Sequence, residues 1–179
     1  MLWFSRPRLP DDVRRALRAQ GADTPLAQAA LADGSWAVAT RAALATTSTP
    51  PASAPEGGRT VVVHRPWCDV DRASFEPTDG VLTVEWVDRE PALLLPLEPE
   101  QRTSLPQVVR ERVQWSVVHA EPVALAGGRS ARVAVRRTAD GEIFSQAIAG
   151  PGVDLDDPAV ADVIDAAEAR VRNAAGLPA

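Results

Sequence analysis

The chain has no lysine and no tyrosine, and only one cysteine, one methionine and one asparagine among its 179 residues. A single Cys excludes an internal disulfide and leaves the redox compartment open. All 19 basic residues are Arg, set against 24 acidic ones, and the net charge of −5 lacks the basic footprint of a nucleic-acid binder. No apolar run approaches membrane-spanning length. Leu2–Phe4 is too short for a signal-peptide core, so the expected compartment is the cytoplasm. There is no P-loop, no G-x-G-x-x-G and no G-x-S-x-G. Nothing in the residues calls for a cofactor or a metal.

What is present is ordinary globular composition, 45% hydrophobic and 24% charged, with five Trp residues. That is enough apolar mass for a real core. The spacing predicts an N-terminal helical segment over 1–33 and a single α+β domain over 34–179.

Residues 11–20 read as a short helix capped by Asp11 or Asp12, with Val13, Ala16 and Leu17 as its apolar stripe and Gly21 as its stop. Arg14, Arg15 and Arg18 take the other face. A solvated face outranks anionic-membrane contact there, because the apolar stripe is so short. Pro25 then opens an expected second helix over 25–32.

In SWAVATRAALAT, Trp36, Val38, Thr40, Ala42 and Leu44 alternate with Ala37, Ala39, Arg41 and Ala43, the period of one continuous strand whose small-residue side faces something closely packed. Thr46–Gly58 is rich in Pro, Ser and Thr and reads as a flexible loop over 46–58. Strands follow at 59–64, 81–87 and 93–97; after Pro66, Trp67–Asp71 is either an edge continuation or a bulged second half of the first, and Ser74–Glu76 leads into Pro77-Thr78-Asp79-Gly80 as a hairpin turn. Ser104 caps a helix over 105–114. Three strands at 115–126, 129–138 and 142–149 are joined by Gly127-Gly128 and Ala139-Asp140-Gly141. A last helix over 157–174 has acid at its start, base at its end and a stripe of Val160, Val163, Ile164, Ala167 and Val171.

The candidate chemistry centres on His64–Trp86, where rare residues gather. His64 and Cys68 share strand parity, so an imidazole and a thiol are expected on one face, although Pro66 between them spoils the simple geometry. Burial beside Trp67 and Val70 makes a packing role the stronger reading. Asp69, Asp71 and Asp79 match no metal-ligand spacing, and Asp154, Asp156 and Asp157 read as helix caps. Ser116 and His119 stand three apart on a strand and face opposite ways. Arg132 and Arg136 share parity, giving either a small anion-binding patch or a solvated, charge-protected strand. The candidate binding residues are therefore His64, Trp67, Cys68, Trp86, Arg132 and Arg136.

Three stretches carry a resemblance. SWAVATRAAL resembles the T-x-R-x-L strand that opens bacterial pleckstrin-homology-like (PH-like) domains, through Thr40, Arg41 and Leu44. WCDVDRASF resembles their segment leading through Asp69 and Val70 into a strand, and DGVLTVEW their g-x-L-x-I strand through Gly80, Leu82 and Val84. The match spans about residues 34–98. It implies a PH-like barrel or curved antiparallel sheet of seven to eight strands, with the C-terminal helix as its closing element. It also implies a non-enzymatic binding or scaffolding module whose partner is another protein. The first long loop lacks the basic cluster that lipid-binding members use. The alternatives are a small-molecule binder or enzyme with a pocket near His64 and Cys68, and an anionic-membrane adaptor acting through the Arg helix.

Overall fold

The computed structural model describes residues 8–22, 24–48 and 59–177. The chain divides into two compact units, Met1–Val113 and Gln114–Ala179. The division falls inside a helix, within the stretch that the sequence presents as one domain.

The first unit begins with α1 (Asp11–Ala19), which follows Pro10 and has no side-chain cap. Seven strands come next: β1 (Pro25–Ala30), β2 (Trp36–Thr40), β3 (Ala43–Thr47), β4 (Val61–Pro66), β5 (Val70–Glu76), β6 (Val81–Trp86) and β7 (Leu93–Pro96). They form two antiparallel sheets, ordered β1-β2-β3-β4 and β5-β6-β7. Helix α2 (Leu105–Ser116) follows.

The alternation in β2 places Ala37 and Ala39 with Ala27, Ala29 and Leu44 against Trp67 and, from the other sheet, Leu82, Val84, Trp86 and Leu95, in a core that also holds Leu105, Val109 and Val113 of α2. Alanine on one side makes room for indole on the other. The opposite face of β2 presents Trp36 and Val38 to Leu9, Val13 and Leu17 of the α1 segment. Arg59 fastens α1 in place, bonding Asp12 at 2.7 Å and the Gly34 carbonyl at 2.8 Å.

Two expectations fail here. Residues 25–30 are a strand, because pairing with β2 and burial of Ala27 and Ala29 at period two override the helical propensity of an Ala-rich stretch. The expected continuous strand through 45 is a hairpin. The Thr40 hydroxyl accepts hydrogen bonds from the amides of Ala42 and Ala43, so the chain turns with no Gly or Pro. With these two changes the expected seven to eight strands become ten among the described residues, in three open sheets that form no closed barrel there. Of the loop expected over 46–58, Thr46 and Thr47 belong to β3, and residues 49–58 lie outside the described residues. The hairpin at 77–80 is as expected, with Gly80 at φ 67°.

The two sheets meet at one bridge, Leu31 with Leu97. Beside it the segment after β7 lies along the outer edge of β1. The Gln101 amide accepts from Ala30 N (3.0 Å) and donates to the Ala30 carbonyl (2.6 Å), and Thr103 Oγ1 donates to the Gln28 carbonyl (2.7 Å). One side chain thus supplies the donor and acceptor that a neighbouring strand would have supplied.

The second unit is a sheet ordered β10-β9-β8, from β8 (Val117–Ala124), β9 (Ser130–Arg137) and β10 (Ile143–Ala149), with α3 (Pro158–Ala174) on one face. Ala131, Val133 and Val135 of β9 meet Val160, Ile164, Ala167 and Val171 of α3. Val163, expected in that stripe, is 42% exposed. The Asp157 side chain caps α3 by accepting from Ala159 N at 3.0 Å. Gly150 lies against β9, where a Cβ would stand 2.0 Å from the Ser130 carbonyl oxygen. The helix expected to close a single barrel covers this separate sheet instead.

Candidate functional site

The rare residues of His64–Trp86 do gather, around the corner where β4 passes into β5. Pro66 ends β4 and a single 3-10 turn, Trp67–Asp69, swings the chain into the second sheet. Trp67 is 2% exposed, and its indole N–H donates to the Thr40 carbonyl at 3.0 Å. Its amide bonds the Ala42 carbonyl at 3.3 Å, so the corner and the β2–β3 turn are locked together. Trp86, 7% exposed, lies in the same core.

The turn also separates the imidazole from the thiol. His64 is exposed on β4, opposite Ala45 in the register. Cys68 is buried, with its Sγ 4.0 Å from Asp69 Oδ1. Shared parity holds only along a continuous strand, and Pro66 with the turn breaks it. A buried thiol beside a carboxylate is placed for packing, since thiolate chemistry calls for access and a positive neighbour.

The residue that organises this corner was missed in the sequence. The Arg65 guanidinium stacks over the Trp86 ring, 4.4 Å from its centroid. It bonds Asp69 Oδ2 at 3.3 Å and Asp88 Oδ2 at 2.6 Å. Burial works against its charge, but the Asp88 hydrogen bond and the two carboxylates outweigh it and hold its pKa above the ordinary value. Arg65 in turn pulls the Asp88 carboxyl below the usual aspartate range. Asp88 stands 23 positions away, so nothing local in the sequence pointed to the pairing. Its charge answered on two sides and its face covered by indole, Arg65 is a latch between the sheets.

In the second unit Arg132 and Arg136 do share a face of β9, opposite Val133 and Val135. That face is no solvated basic strand, because Arg136 is 1% exposed. Its Nη1 donates to the buried Ser116 Oγ at 3.1 Å. His119 Nε2 lies 3.4 Å from Glu121, which Arg170 approaches at 3.5 Å. Arg132 is half-buried, and burial lowers its pKa. Arg137 stacks over Trp115 at 5.2 Å.

Among the described residues, no group of three or more His, Cys, Asp and Glu side chains is placed to hold a metal ion. Asp154 and Asp157 accept from nearby backbone amides, as caps do. Two concavities of the first unit are open to solvent. One of about 480 Å³ lies between the β5–β6 turn and residues 97–106, and includes Phe75, Asp79, Glu98 and Glu100. The other, of about 410 Å³, lies among Asp11, Arg14, Arg15 and Arg18 on α1. No described helix is long and apolar enough to cross a membrane. Comparison of the chain with family models, with curated proteins and with solved structures finds no match.

Proposed function

We propose that the first unit is a PH-like domain acting as a non-catalytic binding module for another protein. The observation that carries this reading is the order of its elements. A four-stranded and a three-stranded antiparallel sheet follow one another in the chain, and α2 then enters the core between them. In this reading α2, not α3, is the closing helix of the first unit.

Support for a protein partner comes from the strands on either side of the corner. Each of β4 and β5 is the terminal strand of its sheet, and such edges accept backbone pairing from another chain. They carry exposed side chains suited to contact, Val62 (66% exposed) and His64 on β4, Phe75 (39%) on β5.

A photoreactive amino acid placed in the full chain at position 62 or 75, and at 163 on α3 as control, tests the reading in cells. A discrete protein adduct from 62 or 75 and none from 163 is the expected result. Equal labelling at all three positions, or adducts at none, would remove it.

A further inference from the structure

The terminal strand β5 runs past the core it helps to build. In the register, Ala73 and Phe75 lie opposite Val84 and Leu82, both buried in that core. Directly opposed residues share a face, so Phe75 is on the core side of its sheet. Ala73 packs against the core, whereas Phe75 is 39% exposed. Its ring lines the concavity of about 480 Å³ between the β5–β6 turn and residues 97–106.

The walls of this concavity are held in place. Pro77, Pro99 and Pro106 stiffen the backbone around it, and the bonds of Gln101 and Thr103 to Ala30 and Gln28 tie one side to β1. The lining combines apolar Phe75, Leu97 and Pro106 with the exposed carboxylates of Asp79, Glu98 and Glu100. No arginine lines it, and none of the three carboxylates makes an ion pair or a hydrogen bond among the described residues. Beside it, Ser74, Phe75 and Glu76 are exposed in succession, and no described strand pairs with the outer side of β5.

An apolar lining with acid around it matches a side chain whose long apolar stem ends in a cation, the form of Lys and Arg. The face of the Phe75 ring attracts either cation. A metal ion needs converging ligands, and no described group of His, Cys, Asp and Glu side chains is placed to supply them. The open β5 edge selects an extended backbone. The arginines of α1 on a second copy stand on a helix and do not meet that condition.

We infer that the β5 edge and this concavity together take an extended, cationic segment of a partner protein. The inference rests on the reading of β5 as a protein-binding edge and adds the chemistry of the partner. The segment pairs its backbone with residues 74–76 and lays an Arg or Lys stem along the apolar lining, with the cation among Asp79, Glu98 and Glu100.

The test selects random peptides of about ten residues, displayed on phage, against the immobilised full chain. Labelled synthetic copies of the enriched peptides are then titrated by fluorescence anisotropy. The expected result is enrichment of peptides carrying Arg or Lys, with binding weakened by salt. Glu98→Gln with Glu100→Gln lowers their affinity about tenfold at low salt, taking each exposed charge pair as roughly threefold, and has little effect at high salt. Both positions are exposed, and an unchanged circular dichroism spectrum checks the fold. Phe75→Leu keeps an apolar side chain and lowers affinity about threefold. Enriched peptides without a cation, or cationic peptides indifferent to the Glu98/Glu100 pair, overturn the inference. So does failure to enrich any peptide. In each of these cases adducts from position 75 in cells leave the edge reading standing, and their absence removes both.

Discussion

The two units build their cores from different materials. In the first, Trp67 and Trp86 pack against the alanine-lined strands of the four-stranded sheet, and Trp36 packs under α1. In the second, the buried cluster holds Val, Ile and Ala, with no aromatic ring among its described residues. A few large side chains concentrate stability, whereas many small ones spread it, and the two units should fail differently when a single residue is removed.

The sharpest way to break that comparison is Trp67→Ala. The change empties the centre of the first core and leaves the Thr40 carbonyl without its indole donor, and a loss of about 3–5 kcal/mol is expected. Denaturant unfolding followed by Trp fluorescence measures it, and hydrogen exchange should localise the damage to residues 25–113. Cys68 sits in the same turn, so its alkylation should be slow in the native chain and fast in this variant. Rapid alkylation of the native protein would show that the corner is less closed than its geometry says.

Val133→Ala in the second unit should cost about 2 kcal/mol, from lost methyl groups and a small cavity. A cost equal to that of Trp67→Ala would erase the contrast. Next in size is the cap of α3. Asp157→Ala is expected to cost about 1 kcal/mol, read as faster exchange of amides in the first turn of α3 with the first unit unaffected. The smallest effect is the most local. Asp88 has its folded pKa depressed by Arg65, so its contribution is present above the ordinary aspartate value and fades as pH falls below about 4. With Asp88 half exposed, that contribution is on the order of tenths of a kcal/mol. Asp88→Asn should flatten the acid limb of the stability curve slightly, and Arg65→Met should do the same.

Legibility in the sequence followed how locally each feature is encoded. The Asp79-Gly80 turn, the alternation Leu82-Val84-Trp86 and the Asp157-Pro158 start of α3 depend on neighbours a few positions away, and they read correctly. Residues 25–30 did not, since Pro-Leu-Ala-Gln-Ala-Ala is good helix material that only partner strand β2 turns into a strand. The β2–β3 turn hid because a threonine hydroxyl, not glycine, makes it. At the site, burial of Trp67, Cys68 and Trp86 could be anticipated from composition. The Arg65 latch could not, because its partner Asp88 lies across two turns, and neither could the burial of Arg136, a residue type that usually stays in water.

The Gln101 contact also bears on how far the chain tolerates change. Residues 98–104 look like a connector, the kind of segment where insertions and deletions normally go unnoticed. Here one amide must arrive in register with Ala30 and one hydroxyl with Gln28. Adding or removing a single residue between Glu98 and Thr103 would displace both contacts and take the Gln101 acceptor from the Ala30 amide, so the connector's length is constrained by the edge it lies on. Loops for tags, circular permutation or domain insertion are better sought at Ala139–Gly141, whose ends the β9–β10 hairpin already holds.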